Sequence, residues 1–102
     1  MEVYTYIDGA MLVVCLSGEL DEHSAETVRT AVDRQINVGN FDKLCFDLSK
    51  LQFMDSTGIG VVIGRYKLAR RKNIDVYVRA PAPTVDKILK MSGLYEIIGK
   101  IA

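Results

Sequence analysis

The residue of this chain best suited to chemistry is a hydroxyl, Ser56, in the run Phe53-Met54-Asp55-Ser56-Thr57-Gly58-Ile59-Gly60. An apolar, strand-like stretch gives way there to a helical pattern, so Ser56 is expected as the N-cap of an exposed helix start. A serine oxygen in that position satisfies a free backbone N–H, and the positive end of the helix dipole is hospitable to an added phosphate. Asp55 beside it and the earlier acidic stretch Glu19-Leu20-Asp21-Glu22 would set how an extra negative charge is received. A serine so placed can act as a switch.

Other chemistries fit the spacing poorly. Gly58-Ile59-Gly60-Val61-Val62-Ile63-Gly64 invites comparison with a dinucleotide fingerprint, but its third glycine comes one residue late. A P-loop would need Gly-Lys-Ser or Gly-Lys-Thr after the glycines, and none follows. A serine hydrolase would need Gly where Met54 stands, and would have to recruit His23, the sole imidazole, with Asp21 as its orienter. That small hydrolase using Ser56 is kept as an alternative from another class; a lone loop histidine is more often simply solvated. Asp55-Ser56-Thr57-Gly58 has no second carboxylate to form an aspartic dyad. Cys15 and Cys45 lie in apolar runs without a CxxC spacing, which predicts reduced, buried thiols and no metal site. No cofactor is expected.

The elements that must position Ser56 follow from periodicity. Val3 to Ile7 and Met11 to Ser17 are rich in β-formers around Asp8-Gly9, which predicts an antiparallel hairpin. Ser24 to Val38 repeats Val28, Ala31, Val32 and Ile36 at helical spacing, with Gly39 beyond its end. Lys43 to Leu48 is apolar on both faces, as in a central strand. Thr57 to Lys72 is a second helix, Ile74 to Arg79 a further strand, and Pro83 opens a helix carrying Val85, Ile88 and Leu89. Leu94, Ile97, Ile98 and Ile101 predict a short last helix. The expectation is an α/β fold: a mixed, mostly parallel sheet of about four strands, an N-terminal β-hairpin and about four helices. Function in such sheets gathers at the carboxyl ends of parallel strands, so Ser56 and the segment Gly18 to His23 should be neighbours.

The second helix has two faces to explain. At a hundred degrees per residue, Ile59, Val62, Ile63 and Tyr66 fall on the side expected to pack on the sheet. The opposite side carries Thr57, Gly60, Val61, Gly64 and Leu68, small or apolar where a solvated helix would show Lys, Glu or Gln. Glycine in a helix interior costs about 1 kcal/mol relative to alanine, so two on one face ask for a reason. One reading is a docking surface with Val61 and Leu68 as apolar anchors; the other is close packing of the first helix or a loop over Gly60 and Gly64.

Composition narrows the partners. The 102 residues are enough for one domain, 1–102, with 49% hydrophobic and 25% charged residues. Thirteen basic and thirteen acidic residues cancel, which removes the broad positive field of a nucleic-acid binder. No secretory pattern opens the chain and no apolar run reaches membrane-spanning length, so a cytoplasmic protein without nucleic-acid or membrane partners is expected.

Four segments, Gly18-Glu19-Leu20-Asp21, Phe53 to Gly60, Gly64-Arg65-Tyr66-Lys67 and Met91-Ser92-Gly93-Leu94, carry a family resemblance. The chain resembles the bacterial anti-sigma factor antagonists, stand-alone STAS domains, and within them the sporulation type. The resemblance implies a binding protein and not an enzyme. Its unphosphorylated form would bind an anti-sigma factor that is also a serine kinase using ATP and magnesium. Phosphorylation would inactivate it, and a serine phosphatase would reset it. It also implies that Ser56 is the phosphoacceptor, with Glu19, Asp21, His23, Asp55, Thr57, Gly58, Gly60, Val61, Gly64 and Leu68 on the partner surface. The general-stress branch of the same family implies the same chemistry with a different partner.

Overall fold

Alternating β-formers on either side of Gly9 and Ala10 pair as β1 (Glu2–Asp8) and β2 (Met11–Leu20), antiparallel, with Asp8 opposite Met11. The turn is therefore Gly9-Ala10 and not Asp8-Gly9. Gly9 has φ +63°, which a glycine at the first central position of a two-residue hairpin supplies at no steric cost. The chain continues through α1 (Ala25–Val38), β3 (Lys43–Met54), α2 (Ser56–Arg70), β4 (Asp75–Arg79), α3 (Pro83–Met91), a 3₁₀ turn (Leu94–Glu96) and β5 (Gly99–Ile101). This computed structural model describes all residues from Met1 to Ala102.

The five strands lie in the order β1-β2-β3-β4-β5, the first pair antiparallel and the others parallel. Side chains of alternate residues, Leu12, Val14 and Leu16 on β2, Leu44, Phe46 and Leu48 on β3, and Val76 and Val78 on β4, form a single core with residues of all three helices. The opposite face of the sheet is bare of helices. There Arg79 donates through Nε to Asp47 Oδ2 at 3.0 Å and through Nη2 to the Tyr6 hydroxyl at 2.8 Å. Since β3 and β2 separate β4 from β1, this chain of bonds straps the open face, and Val13 and Cys45 between are fully buried although outside the helix-covered core. Neither Cys15 nor Cys45 forms a disulfide.

Two further expectations change. The third strand runs to Met54, not Leu48, because two irregularities in its pairing with β2, between Cys15 and Ser17 and between Gly18 and Glu19, let the ladder continue to Leu20 opposite Met54. The last helix does not form. Gly93 at φ +82° ends the preceding turn, Leu94 and Ile98 are buried as their spacing suggests, but Gly99 to Ile101 pairs with Tyr77 to Arg79 as a fifth strand. The otherwise unpaired edge of β4 gains backbone partners that an isolated half-turn of helix could not supply. At the end of α1, Gly39 leaves in an extended conformation, and the Lys72 ammonium donates to the carbonyls of Ile36 and Asn37 at 3.3 and 3.4 Å. A cation there complements the negative end of the helix.

Candidate functional site at the carboxyl ends of β2 and β3

Because β2 and β3 run parallel and finish together, the loops that follow them touch. Leu20 stands opposite Met54, and the Asp55 N–H points to the Leu20 carbonyl at 3.4 Å. The predicted neighbourhood of Gly18 to His23 and Ser56 is thereby formed. Its geometry differs in one respect that matters chemically. The N-cap of α2 is Asp55, in extended conformation, with its carboxylate accepting from the Gly58 N–H at 3.1 Å. Ser56 is the first residue of the helix. Asp caps as well as Ser does, and β3 reaches Met54, so the cap falls one residue earlier than expected. The consequence is that the Ser56 hydroxyl is exposed and is not spent on capping.

The acidic loop is ordered by its own side chains. Asp21 Oδ1 accepts from the backbone N–H groups of His23 at 2.9 Å and Ser24 at 3.2 Å, and the Ser24 hydroxyl donates to the Glu19 carbonyl at 2.7 Å. Such Asx-type bonds start the turn into α1. The His23 ring is exposed and its Nε2 lies 3.8 Å from Glu22. Asp21 therefore orients backbone amides and not the imidazole, and the hydrogen bonds of a hydrolase triad are not made. Glu19 and Glu22 are exposed, while Asp21 and Asp55 are half-buried.

Along α2 the open stripe is narrower than its sequence pattern suggested. Val61 is fully buried, and Leu68 is half-buried against the core, because α1 packs beside α2 and covers that flank. Val61 is therefore no outward anchor, while Leu68 keeps part of its surface open. Gly58 is buried too, and a Cβ there would lie 2.7 Å from the Leu20 carbonyl oxygen and 2.8 Å from Met54 Cγ. That glycine serves the junction of helix and strand. Gly60 and Gly64 have nothing within 4 Å of an added Cβ, so no element of this chain packs over them. With Ser56 they form an i, i+4, i+8 line of small residues on one face, and Thr57 is half-buried beside it.

The sequence pattern passed over Phe53. It stands opposite Glu19 in the β2–β3 ladder and is 45% exposed. Its neighbour Met54 is fully buried, and successive strand residues face opposite ways, which was the available signal.

The STAS domain profile matches residues 2–102. An anti-sigma F factor antagonist from Paenibacillus polymyxa is 43% identical over 88 residues, covering 86% of this chain and 75% of the relative. Among solved structures, the unphosphorylated form of the anti-sigma factor antagonist SpoIIAA superposes with a TM-score of 0.84 at 28% identity, over 99% of this chain and 89% of that one. The phosphorylated form of the Bacillus cell fate determinant SpoIIAA gives 0.74 at 27% identity, over 99% and 92%. The chain belongs to the STAS domain family, in its branch of anti-sigma factor antagonists. These are regulatory binding proteins and not enzymes.

Proposed function

We propose that this chain is a cytoplasmic, phosphorylation-controlled antagonist, with residues 1–102 acting as one module. Unphosphorylated, it binds an anti-sigma factor that is also a serine kinase, and the sigma factor is released. Inactivation follows when that partner moves the γ-phosphoryl group of ATP, held with magnesium, onto Ser56 Oγ. ADP leaves, and the hydroxyl proton passes to a base of the kinase. A serine phosphatase acting in trans hydrolyses the ester and resets the cycle.

One observation carries the reading: Ser56 is exposed at the first position of α2, relieved of capping by Asp55, and aligned with the uncovered glycines 60 and 64. A partner backbone can come close along that line because no side chain intervenes. Phosphate brings about 1.5 to 2 negative charges and considerable bulk into the same place, next to Asp55. The free N–H groups and dipole of α2 can hold it without unfolding the helix. The similarity to the sporulation-type relative supports a sigma F partner pathway, and the existence of both phosphorylation states of SpoIIAA supports the switch.

The test uses the anti-sigma factor from the chain's own source, with that of Paenibacillus polymyxa as substitute. With ATP and magnesium, the chain gains one phosphate, located on Ser56 by peptide mass. Ser56→Ala abolishes labelling, Thr57 included, and binds within about twofold of the parent, whereas Ser56→Asp binds at least tenfold more weakly, or about 1.4 kcal/mol. Labelling of Ser56→Ala as strong as that of the parent overturns the assignment.

A further inference from the structure

One edge of the sheet is covered and the other is open. On the far side β5 lies along β4, whereas β1 has a neighbour on one side only. Asp8 and Met11 close a two-residue turn as a hydrogen-bonded pair, so the β1 residues bonded to β2 recur at alternate steps from there: Asp8, Tyr6, Tyr4 and Glu2. The backbone N–H and C=O groups of Val3, Thr5 and Ile7 therefore point outward, and no other segment of the chain bonds to them. Edge strands are usually blunted by Lys, Pro, a bulge or a covering loop. Residues 3–7, Val-Tyr-Thr-Tyr-Ile, hold no charge and no proline, and their pairing with β2 is unbroken. Three of the seven exposed large hydrophobic side chains, Tyr4, Tyr6 and Ile7, lie on this one strand, which sets it apart from scattered surface hydrophobes.

We propose that β1 is a self-association edge, at which two copies of this chain pair β1 with β1, antiparallel, about a two-fold axis at Thr5. The register names the occupant. Pairing about Thr5 sets Thr5 against Thr5 and Val3 against Ile7 of the second copy, in both directions, so each outward donor meets an outward acceptor, six bonds in all. The side chains agree with the backbone. Tyr4 stands opposite Tyr6 of the second copy at the closer, non-bonded positions, which extends the Tyr4–Tyr6 pair, its rings 5.8 Å apart, into a cluster of four rings. On the other face the exposed Ile7 falls beside the half-buried Val3. Glu2 meets Asp8 of the second copy at each end, and these like-charge pairs oppose the contact. One pair of strands also buries less surface than a standard interface, so the dimer is weak, with a dissociation constant on the order of 0.1 mM. It closes on itself, because the axis uses the open edge of both copies. Ser56 follows β3, with β2 between it and this edge, so the dimer carries two phosphoacceptor positions and does not depend on the proposed function.

Sedimentation equilibrium between about 10 μM and about 1 mM, a range that brackets that constant, should show the mass moving from one chain toward two and no further. Amide exchange at the same concentrations locates the contact. Tyr4 and Tyr6, bonded to β2, are protected throughout, while Val3, Thr5 and Ile7 gain protection only as the dimer forms. Thr5→Pro removes an outward donor and no bond to β2, so the melting temperature of the dilute chain stays within a few degrees and association weakens at least tenfold. Asp8→Lys makes both end pairs attractive and tightens association severalfold at low salt. Should Thr5→Pro fail to fold, Asp8→Lys and the exchange pattern decide. A single-chain mass at about 1 mM overturns the proposal. Growth beyond two chains does so as well, since it would mean an open-ended contact. A dimer that a folded Thr5→Pro leaves intact, that Asp8→Lys does not tighten, or that leaves the amides of Val3, Thr5 and Ile7 unprotected is built on another surface, and the β1 pairing is then wrong.

Discussion

Three glycines of α2 share a residue type and differ in what surrounds them, and the difference is measurable. Gly58→Ala forces a Cβ to within 2.7 Å of a backbone oxygen that cannot swing aside, so a net loss of about 2 kcal/mol is expected despite alanine's better helix propensity. Gly60→Ala meets open space. Stability should rise by about 0.8–1 kcal/mol, a gain of roughly 4–8 °C in melting temperature for a domain of this size. The same alanine should weaken binding to the anti-sigma factor, because a methyl group then stands where the partner's backbone must approach. Thermal melts and titrations on one pair of proteins check both statements. A Gly60→Ala variant that is stabilised and binds as the parent does would mean that the open stripe is not the contact. Helical periodicity alone separated Gly60 and Gly64 from a solvated face. It could not detect the role of Gly58, since the atom that forbids a side chain there belongs to β2, 38 positions away in the sequence.

Elements were legible where a periodic stretch was long and poorly so where pairing with a distant segment decides. The hairpin, α1, α2 and α3 came from apolar spacing and capping residues. By contrast, β3 beyond Leu48 reads as polar, with Ser49, Lys50 and Gln52, because its outer face looks to solvent, and only the register with β2 reveals that it continues. Residues 99–101 become a strand because β4 lies alongside them, a tertiary fact with no local signature. Val61 was misread for a related reason: α2 is packed on two sides, by the sheet and by α1, whereas one hydrophobic stripe was assumed. Arg65 and Asp33 mark that helix–helix contact, with Nε and Oδ1 2.7 Å apart at an angle too bent for a hydrogen bond, both atoms being shielded from solvent. Asp33→Ala strands the guanidinium in this part-buried position and should cost about 1–3 kcal/mol in urea unfolding, less than for a fully buried pair. The strap on the open face has a pH signature. Burial would raise the Asp47 carboxyl, but hydrogen bonds from Ser49 and Arg79 outweigh it and hold the group below the usual carboxylate range. A carboxyl with a depressed folded-state pKa stabilises the fold above its unfolded value of about 4 and loses that contribution as pH falls through the lower, folded value. Asp47→Asn should therefore flatten the stability profile below about pH 4. Asp86, likewise held low by Tyr95 and Lys100, keeps some slope in the variant. Equal slopes in parent and variant would mean that the strap is no stronger in the folded chain than in water.

At the scale of the whole molecule, a net charge of zero conceals a separation of charge. Acidic side chains collect where β2 and β3 end, and the basic cluster Lys67, Arg70, Arg71 and Lys72 closes the other end of α2 and the turn behind it. A molecule arranged in this way is oriented by a partner's field before contact, without the general positive charge that would draw it to nucleic acid. The same arrangement limits what phosphorylation can do to the fold. The ester would be added at an exposed hydroxyl on the first residue of a helix, where the dipole favours it by about 0.3–1 kcal/mol, while Asp55 beside it opposes. The core of Leu, Val, Ile and Phe side chains lies beneath the sheet and none of it needs to move. The phosphorylated chain should therefore melt within a few degrees of the parent, with amide chemical shifts changing in the segments 18–24 and 53–64 and holding steady in β4, α3 and β5. If the proposed function holds, affinity for the anti-sigma factor should fall all the same, because the switch would then act at the contact and not through the fold. Shift changes spreading across β4 and β5, or a loss of cooperative melting on phosphorylation, would show instead that the ester remodels the domain, and the local electrostatic and steric account would then be wrong.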